Sequence, residues 1–131
     1  MAKSFWIAVR WIIRNTENKY LILSKSIEEE IDPDNFDLPG WSIKRWEKLQ
    51  EALMREMNDE AGIQIQIEKF LSHRWFIQWN IHTVWMTFLA SCKDREYLIL
   101  SGKYASFRRK TKNEILNGKY PIWLKEEFKR V

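Results

Sequence analysis

A single cysteine, Cys92, stands in this chain of 131 residues. One thiol excludes an intramolecular disulfide and fits a reducing compartment, so a cytoplasmic location is the default expectation. No apolar run reaches the roughly 18 residues of a membrane-spanning helix, and no membrane is expected among the partners. The N-terminal MAKSFWIAVR lacks the long apolar region and small-residue cleavage site of a signal peptide. His73 and His82 have no further His or Cys at metal spacing, which argues against zinc. Nothing resembles a nucleophilic Ser or Cys with its catalytic partners. Repeats, low-complexity segments and linkers are also missing, so residues 1–131 read as a single domain with its own core.

What is present is basic and aromatic. The net charge is +4. That balance suits a polyphosphate or nucleic-acid partner and equally a plain solvated surface. The eight tryptophans are too many for one small core. Some are expected inside, and others as a stacking platform or a protein interface.

The most informative stretch runs from Leu38 to Ile63. From Glu47 to Gly62 it reads as one helix. Leu49, Leu53 and Met57 recur every fourth residue, which makes one buried face. Gly62 then suits a left-handed C′ residue. At roughly 100° per residue, Glu56 and Glu60 fall on the apolar side and Asp59 at its border. Carboxylates are seldom buried unless paired or bound to metal. Acids in a last turn also oppose the helix dipole, and a divalent cation cancels that penalty. A solvated last turn carrying a charge run is the plainer alternative.

Around this helix the chain reads as strands. Phe5 to Ile13 is a buried strand interrupted by Arg10, which is expected to face a wet cleft or an edge. Asn15 to Asn18 turns into a return strand, Lys19 to Leu23. Ser24 to Asn35 is an acidic surface loop with Asp32-Pro33-Asp34 as turn chemistry. Gln64 to Ile67 alternates as a half-buried strand. His73–Trp79 and His82–Ala90 pair across a turn near Asn80, and Tyr97–Leu100 is a further short strand. Ser101–Lys112 is basic and irregular. A short helix begins at Asn113 and ends at Asn117-Gly118. Pro121 opens a last helix, Ile122 to Lys129. Strands on both sides of one helix, with a terminal helix, predict a mixed sheet between helices.

Glu47, seven residues, then Arg55-Glu56-Met57-Asn58-Asp59-Glu60-Ala61-Gly62-Ile63 resembles the Nudix box, G-x5-E-x7-R-E-U-x-E-E-x-G-U with U a bulky apolar residue. Asp59 replaces a Glu. Trp41 stands at the leading Gly, and Trp46 at a place where relatives commonly have Gly. Phe36-Asp37-Leu38-Pro39-Gly40 resembles the strand and turn that lead into the box. The resemblance implies an α/β fold, an α/β/α sandwich with a mixed β-sheet.

The resemblance also implies an activity: a pyrophosphatase cleaving the diphosphate bond of a nucleoside diphosphate linked to another group. Mg²⁺, with Mn²⁺ as the alternative, would be held by Glu56 and Glu60, by Asp59, and by the Trp41 carbonyl. Glu47 would support the box near the metal. Arg55 would hold the loop by pairing with a carboxylate, and Glu51 competes for it. Glu60 is the best candidate for catalytic base, because residues 101–110 contain no acid. In that basic segment Lys103 and Arg109 would grip phosphates, or simply be solvated. Arg10 is a further candidate for the substrate. Trp75, like Trp79 and Trp85, either stacks a base or packs on the sheet. The second function class is a Nudix scaffold with weakened or lost catalysis, acting as a protein-interaction or nucleotide-binding module. Trp41 and Trp46 would then point outward as an apolar knob for a partner or for self-association.

Overall fold

Alternation along the first strand dictates the architecture. In the computed structural model, which describes residues 4–24, 36–52, 55, 65–93 and 106–131, β1 spans Ser4–Arg14. Val9, Trp11 and Ile13 point to one face of the sheet, and Ile12 to the other. Both faces are buried at this end, so the strand reads as a nearly continuous apolar run. Asn15 closes the hairpin, its side chain accepting from the backbone N–H of Glu17 and Lys19. Asn18, at φ 58°, takes the left-handed residue that Asn tolerates. The return strand β2 is Tyr20–Ser24.

Two short strands follow, β3 (Phe36–Asp37) and β4 (Gly40–Ser42). The hairpin β5 (Ile65–Gln78) and β6 (Ile81–Cys92) is the longest element among the described residues. β7 is Ser106–Lys110. The seven strands form one mixed sheet in the order β3-β2-β1-β6-β5, with β4 beside β1 and β7 beside β2. β1 and β6 run parallel, with Ser4 opposite Ile81 and Arg14 opposite Ser91.

Helices lie on both faces. Residues 49–52 and 55 are helical and belong to α1, and Leu49 packs against Val9, Trp11 and their neighbours. The expected helix therefore starts two residues later than its sequence suggests, after Glu47 and Lys48. Leu53, Met57 and the Ser24–Asn35 loop beyond Ser24 lie outside the described residues, as do Gln64 and the expected strand Tyr97–Leu100. The opposite face carries α2 (Lys112–Asn117) and α3 (Ile122–Phe128), with Ile115, Leu124 and Phe128 fully buried on Ile12 and Ile22. α2 starts at a capping box: Thr111 accepts from Glu114 N–H, and Glu114 accepts from Thr111 N–H. This is the α/β/α sandwich expected from the sequence.

One expectation needs correction. Within the basic stretch 101–112, residues 106–110 form strand β7 rather than an irregular segment, paired from Ser106 opposite Ser24 to Lys110 opposite Tyr20. Long basic side chains extend along apolar surface and keep their charge wet. Phe107 enters the core, and the Arg108 guanidinium lies 5.0 Å from the Phe36 ring.

Candidate functional site

The site begins where β4 meets β1. A Cβ on Gly40 would lie 2.5 Å from the Val9 carbonyl oxygen, so only glycine lets the two backbones come this close. Trp41 then sits opposite Val9 in extended backbone, a conformation open to any residue. Ile43 N–H continues the pairing onto the Ile7 carbonyl at 3.1 Å.

The chain next makes a tight turn. Glu47 N–H donates to the Lys44 carbonyl at 3.0 Å, and Trp46 at the third turn position has φ 69°. That position favours Gly. The Trp46 indole is 94% exposed. Trp46 therefore points outward. The Trp41 side chain lies outside what the structure describes.

Glu47 fastens this turn to the helix. Its Oε2 accepts from Arg55 Nε at 2.6 Å and its Oε1 from Arg55 Nη2 at 3.1 Å, a bidentate fork. Oε1 also accepts from the Lys44 backbone N–H at 3.1 Å. Arg55 thus pairs with a carboxylate, that of Glu47. The competitor Glu51 instead accepts from Lys48 N–H at 3.3 Å, capping the first turn. Ala52 N–H to the Lys48 carbonyl, 2.9 Å, is the first helical bond. The Arg55 hydrogen bond holds the Glu47 carboxyl below the ordinary glutamate range, against partial desolvation, with the Lys44 N–H adding to the effect.

On the same sheet face, further along β1, lies an aromatic shelf. Alternation places Phe5 and Ile7 on the side of Val9, and the register sets His82 opposite Phe5 and Trp75 opposite Val84. The Phe5 and His82 rings meet edge to face at 5.2 Å, and Trp75 and His82 at 5.4 Å. Trp75 is exposed. The His82 Nε2 atom is buried, with no hydrogen-bond partner among the described residues. The shelf is largely aromatic, and the His82 Nε2 lies buried within it.

Arg10 is elsewhere. It alternates onto the opposite face, where its guanidinium lies 4.1 Å from the ring centroids of both Trp85 and Trp123. This is a cation–π clasp between β1, β6 and α3 rather than a wet cleft. Trp85 packs there and not on the shelf. Beside it, Glu127 of α3 accepts from the Ser72 hydroxyl at 2.5 Å and faces Arg74 at 3.4 Å. Arg109 sits on β7 opposite Leu21, away from the shelf. Glu56, Asp59, Glu60 and Lys103 lie outside the described residues.

Sequence reasoning missed His82 as the shelf's polar atom and Glu127 as a buried carboxylate. Only the strand register reveals the first. The second gives no local signal, because Glu126 and Glu127 look alike in sequence.

Among the described residues no three of His, Cys, Asp and Glu stand together as a ligand set. Glu47 is the one box carboxylate described, and both its oxygens are engaged by Arg55 and Lys44. Its donor set fits a wall that supports a metal site better than it fits a direct ligand. The Trp41 backbone lies just before the same turn, paired with β1.

The NUDIX domain profile matches residues 5–120. No curated protein sequence matches the chain. Among solved structures, the MutT protein from Methanosarcina mazei Go1 is similar, with TM-score 0.76 and 23% identity, covering 99% of this chain and 94% of that one. An Ap4A hydrolase from C. elegans, solved as a binary complex, has TM-score 0.72 at 15% identity, covering 95% and 93%. A MutT NUDIX hydrolase from Burkholderia pseudomallei has TM-score 0.71 at 17% identity, covering 98% and 99%.

Proposed function

The chain belongs to the Nudix domain family, and on that premise we propose that it hydrolyses the diphosphate bond of a nucleoside diphosphate linked to another group. One observation carries the reading: the Glu47–Arg55 strap and the Phe5–His82–Trp75 shelf share one face of the sheet. A diphosphate beside the box would leave its nucleoside toward these aromatic rings. The likeness to an Ap4A hydrolase and to MutT proteins supports a nucleotide substrate.

Each residue has a task in this reading. Arg55 and Glu47 fix the turn between β4 and the helix, and the Trp41 carbonyl adds a metal ligand. Glu56, Glu60 and Asp59 are the oxygen donors for Mg²⁺ or Mn²⁺. The ion, when bound, neutralises the phosphates and acidifies its water. Glu60 accepts the proton from the attacking water. Lys103 supplies positive charge to the phosphates. Trp75 stacks the base.

The test is a screen of nucleoside diphosphate derivatives with Mg²⁺, scored by product release, on wild type and Glu60→Gln. Turnover in wild type that is lost in the variant is expected. No turnover on any member of the panel sinks the reading.

The weakened scaffold is the second reading, and Trp46 favours it. A bulky ring in a left-handed turn beside the box loop is not what a fast enzyme needs for close contact with phosphates. The double change Trp41→Gly and Trp46→Gly separates the two. A rise in turnover with a fall in self-association supports the scaffold, and a fall in turnover assigns the rings to the substrate.

A further inference from the structure

Strand β5 is exposed on both of its faces. His73, Arg74, Trp75, Phe76 and Ile77 are consecutive and all open to solvent. A partner docking on one face would account for alternate residues only. Among the described residues β5 pairs with β6 alone, at the end of the sheet order. Natural edge strands are guarded by charge, Pro or a bulge. From Trp75 to its end at Gln78 this one has no charge and no Pro, and Arg74 is the one charged residue of Ser72–Gln78.

Bulges do occur, but further back. The register shifts between Ile67 and Lys69 and between Phe70 and Ser72. These irregularities bend the strand and end regular pairing. The regular stretch that remains is Ser72–Gln78, and its middle residue is Trp75.

We propose that two copies of this chain pair β5 to β5, antiparallel, about a twofold axis at Trp75, to make one continuous sheet. The register follows from that centre. Trp75 faces the other copy's Trp75, Arg74 faces Phe76, His73 faces Ile77, and Ser72 faces Gln78. No like charges meet in this register, and each Arg74 gains an aromatic ring. Shifting the axis to Arg74 would set two guanidiniums opposite each other. An interface built on one twofold closes at two copies.

The area is sufficient. Trp75, Phe76, Ile77 and Trp79 are 63%, 44%, 57% and 86% exposed. At ~150–250 Å² per large side chain they offer on the order of 500 Å² of apolar surface. A small specific interface needs roughly 600–800 Å² on each partner, and the paired backbone supplies the rest. On the shelf face, the second Trp75 then stands beside the first. Two rings, one from each copy, would border each substrate shelf.

The test uses the full chain and two variants on the face away from the shelf. Phe76→Lys sets two cations against Arg74 of the other copy, and Phe76→Glu sets two acids there. Sedimentation velocity across a concentration series should show a wild-type dimer. Phe76→Lys should weaken it roughly tenfold or more, because the like-charge pair occurs twice by symmetry. Phe76→Glu should leave it dimeric. Trp75→Cys should form an intermolecular disulfide on oxidation, since a Cys on the axis meets its own copy at bridging distance. A monomeric wild type at all concentrations overturns the proposal. So do equal losses from Lys and Glu, growth beyond the dimer, or a dimer that Phe76→Lys spares and Trp46→Ser abolishes. Turnover is read separately, so a failed dimer leaves the hydrolase reading untouched.

Discussion

The Ser72 hydroxyl donates to the Glu127 carboxylate at 2.5 Å, joining the outermost strand of the sheet to the last helix. Glu127 is 2% exposed and its other oxygen faces Arg74. This contact holds α3 over the Arg10 clasp. It is the one fully buried carboxylate among the described residues.

Glu127→Ala should destabilise the fold by about 2 kcal/mol, since a hydrogen bond to a charged group is worth ~1.5–3 kcal/mol. The larger cost of a stranded buried charge does not apply, because Arg74 is half in solvent. Glu127→Gln keeps an acceptor for Ser72 and should cost less. Urea unfolding of the three proteins decides it, and equal midpoints would show that α3 is held by its apolar side alone.

Trp46→Gly should raise stability by roughly 1 kcal/mol, because a left-handed backbone penalises a Cβ by ~1–2 kcal/mol and glycine returns some of that as chain entropy. The ring is nearly all in water, so little packing is lost. Thermal melts are the measurement. A lower melting temperature would mean that the indole packs in solution.

Glu47→Gln should make stability less dependent on acid pH. The folded carboxyl titrates below its ordinary value of 4.5, held down by Arg55. A depressed carboxylate contributes fully above the unfolded value and loses its contribution as pH falls through the folded one. The gap between wild type and variant should therefore be constant above the ordinary glutamate range and narrow as pH falls below it. A gap that stays constant into acid would assign the loss to packing.

Metal should stabilise the native chain, by about 2.7 kcal/mol at a hundredfold excess over its dissociation constant. Millimolar Mg²⁺ or Mn²⁺ should raise the melting temperature of wild type and not of Glu60→Gln. An identical rise in both would place the metal elsewhere.

Trp75→Ala should weaken substrate binding more than it slows turnover. Stacking on a base is worth ~1–3 kcal/mol, so KM should rise about five- to hundredfold. An unchanged KM would take Trp75 off the shelf's functional side.

Much of this was legible in the sequence. The alternation of Val9, Trp11 and Ile13 with Ile12 announces a strand buried on both faces. The motif announces that Arg55 pairs with a carboxylate, though not which one, and the Gly-like setting of Trp46 appears as a positive φ. Arg10 misled because a lone cation in an apolar run looks like an edge. Its partners, Trp85 and Trp123, are distant in sequence, and no local pattern joins them to β1. β7 was hidden because Arg108, Arg109 and Lys110 read as loop chemistry, although their stems cover apolar surface. His82 became a site residue only once the parallel register set it opposite Phe5.

That parallel register also sets a timetable. β1 cannot complete its inner edge until residues 81–92 exist, since Ser4 lies opposite Ile81. Distant pairings close large loops before any contact rewards them, and they slow folding. During synthesis the first strand therefore waits, apolar and uncovered, while most of the chain emerges. The β1–β2 hairpin, with Asn15 tying its turn, is the local structure available to shield it meanwhile. Asn15→Ala should accordingly harm refolding yield at high protein concentration more than it harms the stability of the finished fold.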